Sequence, residues 1–250
     1  MDKKINICYL YPDILSLYGD KGNILALTNR LRWRGINAEV TEICVGDKFE
    51  QKDYDIFFMG GGQFTEQKIF LDIINDDFCE QFKQLKEQNK VLLAICAGYQ
   101  LLGEYYENLK GERFNGANCL PVYTKEGKGR LIGNYCFSFN TEDKAMKIIG
   151  FENHQGRTYL KEGAKEMGRM IFGFGNNAKD GSEGVRDKNC FGTYAHGPIL
   201  PRNYEFCDYL LDLAMKNKYD ISIFDKSFKT LDDAIEKEAH AFNNFKKYEQ

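Results

Sequence analysis

The chain has 250 residues, of which 43% are hydrophobic and 14% aromatic, so it can bury a large core and is not a disordered chain. Its net charge is −3 with acidic and basic residues interspersed, which gives no reason to expect a nucleic-acid partner. The first residues, MDKKINICYLYP, do not form a signal peptide, and every apolar run is far shorter than the roughly 20 residues of a membrane-spanning helix. We therefore expect a cytoplasmic protein with one domain over residues 1–250.

The eight cysteines are scattered along the chain, and no two of them form a CxxC pair. A disulfide framework is typical of small secreted domains, and structural zinc sites need clustered thiols. We therefore expect free thiols in a reducing compartment and no metal site.

Apolar runs alternate with helical patterns in the first part of the chain. Helical spacing over Lys21 to Arg34 puts Ile24, Leu27 and Leu31 on one face. Further helical sequence over about 68–88 is expected to be broken near residues 75–77. Strands that are apolar on both faces and alternate with helices predict a mostly parallel sheet covered by helices. The strand sequences are KINICYLYP, NAEVTEICV, YDIFFMG and VLLAIC.

The pattern changes from about Asn115 to Gly192, where glycine is frequent and helical periodicity is lost. This predicts short antiparallel strands and loops added to the same domain. Asn203 is expected to cap a helix that completes a core of about 5–215, followed by a helical extension over about 216–250. Thr230 would begin the last helix. The buried stripe of that helix would consist of Leu231, Ile235, Ala239 and Phe242.

Cys96 lies between a predicted strand and a helix that begins near Tyr99, in the sequence KVLLAICAGYQLLGE. Ligands bind at the carboxyl ends of the strands of a parallel sheet, and Ala97-Gly98 allows a tight turn there. The N–H groups of a helix N-terminus would lower the pKa of this thiol and favour the reactive thiolate. Cys96 is therefore a candidate nucleophile, and the alternative is a buried cysteine that ends a core strand.

A cysteine nucleophile needs a base, and the chain has three histidines. His240 lies in the last predicted helix among surface-type residues, and His154 lies in the polar sequence GFENHQGRT. His196 ends an apolar run in FGTYAHGPILP, beside a turn. His196 is the candidate base, and the alternative is a hydrogen-bonded loop histidine.

Three glycines at 60–62 follow the third predicted strand. Their N–H groups are not obstructed by side chains, as an oxyanion hole requires. A phosphate-binding loop is the alternative, but GGGQFTEQK lacks the GK[ST] ending that such loops carry.

Taken together, these motifs resemble the triad-type (class I) glutamine amidotransferases. CAGYQLLG is similar to their nucleophile elbow, while YAHGP at 194–198 and GFENHQG at 150–156 resemble the cobyric-acid-synthase-like branch. The fold implied is a flavodoxin-like, mostly parallel sheet with helices on both faces. Four further motifs resemble the glutaminase subunits of lipid II isoglutaminyl synthases, namely LYGDKGN, GGGQFTEQ, GRLIGN and HGPILPRN.

The resemblance implies a subunit that hydrolyses glutamine and passes ammonia to a Mur-ligase-like partner, MurT, in a heterodimer. The partner would use ATP and magnesium to activate the D-glutamate carboxylate of the lipid II stem peptide. Ammonia would convert this group to D-isoglutamine during peptidoglycan synthesis. This chain would carry no cofactor of its own, and it would act at the inner face of the membrane by reaching lipid II through the partner.

The resemblance also implies roles for particular residues. Cys96 would be the nucleophile, and His196 would be the general base and acid. Arg130 would bind glutamine, because a guanidinium pairs bidentately with an α-carboxylate, although GKGR alone would suit a surface arginine. The oxyanion hole would consist of Gly61, Gly62 and Ala97.

One position departs from the pattern of the wider superfamily. Many class I members carry a glutamate two residues after the histidine, which orients the imidazole, and here that residue is Pro198. Asp20 and Glu152 are candidate orienters, although Asp20 could equally cap the helix that begins near Lys21. The further candidates for the glutamine pocket are Gln100, Glu152 and His154.

Three alternatives remain open. A cysteine peptidase or a hydratase on a related sheet could use the same elbow, but it would not need the HGP turn or Arg130. A regulatory subunit with an inactive site is disfavoured because Cys96 and His196 are both present. The glutaminase half of a cobyrinate-type amidation enzyme is a nearer alternative. Such enzymes usually carry a fused ATP-dependent domain, for which 250 residues leave no room, so activation would occur on another polypeptide.

Overall fold

The computed structural model describes residues 3–242, apart from the side chains of 64–68 and 242. The strands are β1 Lys4–Leu10, β2 Asn37–Ile43, β3 Ile56–Met59, β4 Val91–Ile95, β5 Tyr105–Glu107, β6 Arg113–Asn115, β7 Val122–Asn140, β8 Ala145–Leu160, β9 Gly168–Phe172, β10 Ser182–Glu183, β11 Val185–Asp187 and β12 Cys190–Thr193. The helices are α1 Lys21–Trp33, α2 Phe64–Ile73, α3 Asp76–Glu87, α4 Ala97–Leu101, α5 Ile199–Arg202, α6 Tyr204–Tyr219 and α7 Ala234–Phe242.

The central sheet has the order β11-β12-β4-β3-β1-β2, and each neighbouring pair is parallel except β11 with β12. The crossovers from β1 to β2 and from β3 to β4 run in opposite directions across the sheet. Right-handed crossovers therefore put α1 on one face and α2 and α3 on the other. Every residue of β3 and β4 is buried, as expected for strands covered on both faces. The predicted mostly parallel sheet with helices is confirmed.

The region after Asn115 differs from the prediction, because its strands are not all short. β7 has 19 residues and β8 has 16, and the two strands pair antiparallel. They belong to a second sheet, in which β8 pairs with the central strand of the order β10-β9-β7-β5-β6. The pairing is interrupted by a bulge between Glu126 and Leu131. Glycines at the bulge and along β8 concealed these long strands in the sequence, since glycine weakens a strand pattern.

The two sheets meet beside His196. The backbone N–H of His196 donates to the carbonyl oxygen of Phe151 over 2.9 Å, and the N–H of Phe151 donates back over 3.2 Å. Phe151 belongs to β8, so the second sheet contacts the carboxyl edge of the first.

The C-terminal part differs from the prediction in two details. Asn203 precedes α6 but its side chain does not cap that helix, because it bonds the backbone of Ile149 through both its oxygen and its nitrogen. The predicted buried stripe of the last helix is wrong, since Ile235 is 79% exposed and Ala239 is exposed. The side chain of Phe242 and residues 243–250 lie outside the described residues.

One cluster of buried apolar side chains extends from Ile5 to Ile223 and includes residues of both sheets. The single domain over 1–250 stays a prediction. Of the helices that the structure describes, none is long and apolar enough to cross a membrane.

Candidate active site

Cys96 occupies the corner between β4 and α4. Its backbone has φ 51° and ψ −101°, which a residue with a side chain rarely adopts. The corner is also tightly packed, because a Cβ atom on Gly98 would stand 2.9 Å from the carbonyl oxygens of Met59 and Gly60. A glycine two residues after Cys96 therefore lets the chain turn directly from the strand into the helix, at Ala97 rather than at the predicted Tyr99.

The thiol of Cys96 does not have the lowered pKa that the sequence led us to expect. Burial raises its pKa to about 12, and the charge of Asp20 acts in the same direction. The guanidinium of Arg130 and the N–H of Ala97 oppose this rise without overcoming it. Cys96 is 8% exposed, so the cost of desolvating a thiolate outweighs the attraction of the helix N-terminus. The thiol is therefore protonated in this structure and has to lose its proton as it reacts.

His196 is fully buried at the meeting point of the two sheets. Its ring lies edge-on to the ring of Tyr18, with 4.8 Å between centroids. Neither ring nitrogen has a hydrogen-bond partner among the side chains and backbone that the structure describes. Burial lowers the pKa of His196 to about 3, and His154 and Arg130 add to the effect. The imidazole is therefore neutral, which is the form a general base needs.

Gly61 brings the predicted catalytic groups into one place. A Cβ atom on this glycine would stand 2.9 Å from Cε1 of His196, 3.6 Å from Cβ of Cys96 and 3.7 Å from Oδ2 of Asp20. The three side chains thus surround a single backbone position on the loop after β3. Only a residue without a side chain fits there.

Asp20 is fully buried, and its side chain faces this loop rather than its own helix. It precedes α1 without a side-chain cap to that helix, so the capping interpretation is wrong. Oδ2 instead accepts a hydrogen bond from the N–H of Gly61 over 2.7 Å. Burial raises the pKa of Asp20 to about 7, opposed by the N–H groups of Gly61 and Leu17.

The bond between Asp20 and Gly61 bears on the predicted oxyanion hole. The N–H of Gly61 is occupied by a carboxylate in this structure, so it does not fit the predicted role of oxyanion donor. Gly62 and Ala97 remain the candidates, and the N–H of Ala97 already interacts with the Cys96 sulfur.

A cavity of about 290 Å³ lies against Cys96. The predicted residues among those that line it are Gly62, Gln100, Arg130 and His154. Of the described residues, Cys96 lines this cavity and His196 does not. The lining residues that sequence reasoning missed are Leu17, Tyr18, Gln63, Tyr106, Glu126, Asn153, Gln155 and Gly156.

Arg130 lies on β7 at the bulge, with its side chain exposed at the cavity. Its Nε donates to Oδ1 of Asn153 over 2.7 Å, and its Nη2 donates to the carbonyl oxygen of Asn153 over 2.9 Å. Its positive charge is close enough to affect the pKa of both Cys96 and His196.

Glu152 does not orient His196, contrary to one of the two options from the sequence. Its carboxylate accepts from the N–H of Phe174 over 2.7 Å and lies 3.3 Å from Nε2 of His154. Nδ1 of His154 donates to the carbonyl oxygen of Gly156 over 2.8 Å. Glu152 therefore holds His154, which lines the cavity.

Gln100 and His154 meet at the same tyrosine. The ring of His154 is stacked on that of Tyr194 at 3.5 Å between centroids. Nε2 of Gln100 donates to Oη of Tyr194 over 2.9 Å. Both residues are therefore oriented by Tyr194, two positions before His196.

Glu183 is a buried carboxylate that sequence reasoning missed. One of its oxygens accepts from Oγ1 of Thr193 over 2.6 Å and from the N–H of Tyr194 over 2.9 Å. Burial raises the pKa of Glu183 to about 7. Glu183 thus anchors the segment that leads to His196, and no motif pointed to it. Tyr18 and Asn153, by contrast, stand inside LYGDKGN and GFENHQG.

Comparisons with known proteins show the family to which this chain belongs. Residues 6–204 match the model of the CobB/CobQ-like glutamine amidotransferase domain. The GatD subunits of the glutamine-hydrolysing lipid II isoglutaminyl synthases of Streptococcus pneumoniae and Staphylococcus aureus are each 40% identical over 86% of this chain. These matches cover 82% and 86% of the two relatives. A probable cobyric acid synthase of Methanocaldococcus jannaschii is 32% identical over 78% of this chain, which spans 40% of that protein.

A solved structure shows the same fold at lower identity. A glutamine amidotransferase of Thermotoga maritima has a TM-score of 0.52 and 17% identity, over 86% of this chain and 84% of its own. The family match and the two relatives at 40% identity cover most of the described residues. The chain therefore belongs to the family of CobB/CobQ-like glutamine amidotransferases, together with the GatD subunits of lipid II isoglutaminyl synthase.

Proposed function

We propose that this chain is the glutaminase subunit of a lipid II isoglutaminyl synthase. The observation that carries the proposal is the convergence of Cys96, His196 and Asp20 on Gly61, beside a cavity that also contains Arg130. Support for the substrate comes from the two GatD relatives at 40% identity.

The reaction begins with the thiol of Cys96 and the neutral imidazole of His196. As the sulfur forms a bond to the carboxamide carbon of glutamine, His196 takes the thiol proton. The carbonyl oxygen becomes an oxyanion that accepts hydrogen bonds from the N–H groups of Gly62 and Ala97. The imidazolium then gives its proton to the amide nitrogen, so that ammonia leaves and a thioester remains.

Water completes the cycle. His196 takes a proton from the attacking water, the thioester carbon–sulfur bond breaks, and the proton returns to the sulfur as glutamate forms. The thiol of Cys96 and the imidazole of His196 need to approach more closely than in this structure, in which they share no hydrogen bond. Catalytic contacts are commonly long in the absence of substrate.

Arg130 binds the α-carboxylate of glutamine, and Gln100 and His154 complete the wall of the pocket. Asp20 acts as a positioning residue, because it holds the Gly61 loop against the base. Its negative charge also favours an imidazolium near it, at the step where His196 carries the proton.

The ammonia is consumed by a second protein. We expect a Mur-ligase-like synthetase, MurT, which forms a heterodimer with this chain and uses ATP and magnesium to activate the D-glutamate carboxylate of lipid II. The chain itself carries no cofactor in this proposal. All eight cysteines are free thiols, which fits a reducing compartment and action at the inner face of the membrane.

The experiment that tests the proposal measures ammonia release from glutamine by the complex of this chain with the synthetase. Cys96→Ala should abolish it and leave the fold unchanged by circular dichroism, whereas Cys44→Ala, at a half-buried thiol, should keep it. Full glutaminase activity in Cys96→Ala would refute the assignment.

A second candidate is the glutaminase half of a cobyrinate-type amidation enzyme. It is favoured by the 32% identity to the probable cobyric acid synthase of Methanocaldococcus jannaschii. That protein is much longer than this chain, which spans 40% of it. Amidation of a corrinoid acid in place of lipid II by the purified complex would select this candidate.

A further inference from the structure

A chain of side-chain contacts links Arg130 to His196 at the cavity. Nε of Arg130 donates to Oδ1 of Asn153 over 2.7 Å, and Nδ2 of Asn153 donates to Oη of Tyr18 over 2.7 Å. The ring of Tyr18 in turn lies edge-on to the imidazole of His196 at 4.8 Å. The group that grips the substrate and the base are thus joined through Asn153 and Tyr18.

Asn153 restrains a side chain that would otherwise be mobile. Arg130 is exposed, and a long exposed side chain loses rotamer freedom when it binds a ligand. Asn153 accepts two hydrogen bonds from the guanidinium, one at its side-chain oxygen and one at its carbonyl oxygen. A guanidinium has further N–H groups that stay available for a carboxylate. Binding a carboxylate to a guanidinium that is already oriented costs less conformational entropy than binding it to a freely rotating one.

The amide of Asn153 can satisfy both neighbours in one orientation. Its oxygen faces a donor on Arg130, and its nitrogen faces the hydroxyl of Tyr18. If the amide turned over, its NH₂ group would face the guanidinium, where both groups are donors. The contact with Arg130 therefore fixes the amide orientation in which Asn153 bonds Tyr18. The contact with Tyr18 likewise fixes the orientation in which Asn153 bonds Arg130.

Tyr18 is held in an unfavourable conformation. It has φ 53° in the left-handed region and is 45% exposed, although a bulky residue avoids that region. Such strain persists where the surroundings impose it, and it is common at functional sites. Here the N–H of Leu17 donates to the carbonyl oxygen of Gly61 over 3.2 Å, which ties the Tyr18 loop to the centre of the site.

The contact matters because His196 has little else to orient it. Neither of its ring nitrogens is hydrogen-bonded to any group that the structure describes. Packing therefore restrains the imidazole, and the ring of Tyr18 is one of the groups packed against it.

We propose that Asn153 and Tyr18 are positioning residues, Asn153 for the glutamine-binding group and Tyr18 for both that group and the base. Asn153, held by the hydroxyl of Tyr18, presets Arg130 for the α-carboxylate, and the ring of Tyr18 separately packs against the ring of His196. The inference rests on the proposed glutaminase function. It predicts that reagents with an α-carboxylate benefit from the contact chain, while reagents without one do not.

The test compares two alkylating probes on the complex of the full chain with its Mur-ligase-like partner. One probe is a diazoketone analogue of glutamine, which carries the α-carboxylate, and the other is iodoacetamide, which does not. Asn153→Ala should slow the labelling of Cys96 by the analogue about tenfold, the effect of losing a hydrogen bond to a charged group. The rate with iodoacetamide should not change.

Two changes at Tyr18 separate its hydroxyl from its ring. Tyr18→Phe should slow only the glutamine analogue, because it releases Asn153 and keeps the ring. Tyr18→Ala should slow both probes, since His196 deprotonates the thiol in either reaction. Matched controls are Asn134→Ala, at an exposed position of β7, and Tyr123→Phe, at a half-buried position of β7. Both should label like the wild type.

A double-mutant cycle gives the sharpest result. If Asn153 acts through Arg130, Asn153→Ala should have little further effect in an Arg130→Ala background. Equal slowing in both backgrounds would overturn the inference, as would equal slowing of the two probes by Asn153→Ala. Failure of the analogue to label Cys96 in the wild-type complex would overturn the proposed function itself, and the inference with it.

Discussion

Gly61 is the residue on which the geometry of the site depends. A methyl group there would lie 2.9 Å from Cε1 of His196, so Gly61→Ala has to displace the base. We expect kcat for glutamine hydrolysis to fall by about a hundredfold, as for other small misplacements of catalytic groups. Gly133→Ala on β7 is the matched control, because its Cβ would meet no atom within 4 Å. Two variants that both hydrolyse glutamine like the wild type would contradict the geometry.

Asp20 makes stability depend on pH. Burial raises the pKa of Asp20 to about 7, whereas an unfolded aspartate titrates near 4. The folded chain therefore binds more protons between these values, and this contribution to stability is present below about pH 4 and lost as pH rises through 7. Asp20→Asn keeps an acceptor for the N–H of Gly61 and removes the buried charge.

We therefore expect Asp20→Asn to increase the free energy of unfolding at pH 8 by up to about 4 kcal/mol relative to the wild type. The difference should shrink to less than about 0.5 kcal/mol near pH 4, where folded Asp20 is neutral and the unfolded aspartate is about half ionised. Urea unfolding at several pH values measures it, and the comparison cancels the titration of the other carboxyl groups. A difference that is the same at pH 4 and pH 8 would show that Asp20 does not carry a raised pKa.

Sequence motifs pointed to the groups of the site but not to their environment. Cys96, His196 and Arg130 were predicted from motifs that resemble those of a known family. The direction of the Cys96 pKa shift was wrong, because the N-terminus of a helix is visible in a sequence and the depth of burial is not. Glu183 gave no signal, since it bonds Thr193 at the end of β12 and Tyr194 just after it, ten and eleven positions away.

Among the elements, the turn from β4 to α4 is the strained one at the site. With φ 51° and ψ −101°, position 96 suits glycine better than any residue with a Cβ atom. Cys96→Gly should therefore be at least as stable as Cys96→Ala, although glycine elsewhere destabilises by roughly 0.5–1 kcal/mol relative to alanine. Thermal unfolding of the two inactive variants decides this. If Cys96→Gly is the less stable by that margin, the elbow is not strained.

Element prediction succeeded where periodicity was strong. The alternating strands and helices of the parallel sheet were found because buried strands are short, apolar and bounded by glycine. β7 and β8 were missed as long strands because Gly127, Gly129 and Gly133 interrupt one and Gly150 and Gly156 the other. α7 begins at Ala234 rather than at the predicted Thr230, and its described apolar residues are exposed, namely Ala234, Ile235, Ala239 and Ala241.

At the scale of the whole molecule, a buried ion network attaches the C-terminal extension to α1. Arg30 binds Asp208 of α6 through two bonds of 2.5 and 2.7 Å, and it binds Asp233 of the extension over 2.9 Å. Arg34 also donates to Asp208 over 2.7 Å. Two positive and two negative charges are thus paired in a region from which water is mostly excluded.

Removal of one charged side chain from this network should destabilise the folded chain. We expect Arg30→Ala to lower the free energy of unfolding by about 3 kcal/mol or more, since it leaves buried carboxylates unpaired. Lys144→Ala breaks an exposed pair with Glu205 of similar length, 2.7 Å, and should cost less than about 1 kcal/mol. Urea unfolding of both variants measures the difference. Equal, small effects would mean that the network does not secure the extension.

The central claim is that ammonia made at Cys96 reaches lipid II on a partner protein. The most direct measurement supplies the purified complex with ATP, magnesium, lipid II and glutamine that carries heavy nitrogen in its side-chain amide. Mass spectrometry should find that nitrogen in the D-isoglutamine of lipid II. The Cys96→Ser complex should transfer none, yet still amidate lipid II from an added ammonium salt. Lipid II that acquires no heavy nitrogen from the wild-type complex, or that still acquires it with Cys96→Ser, would contradict the account.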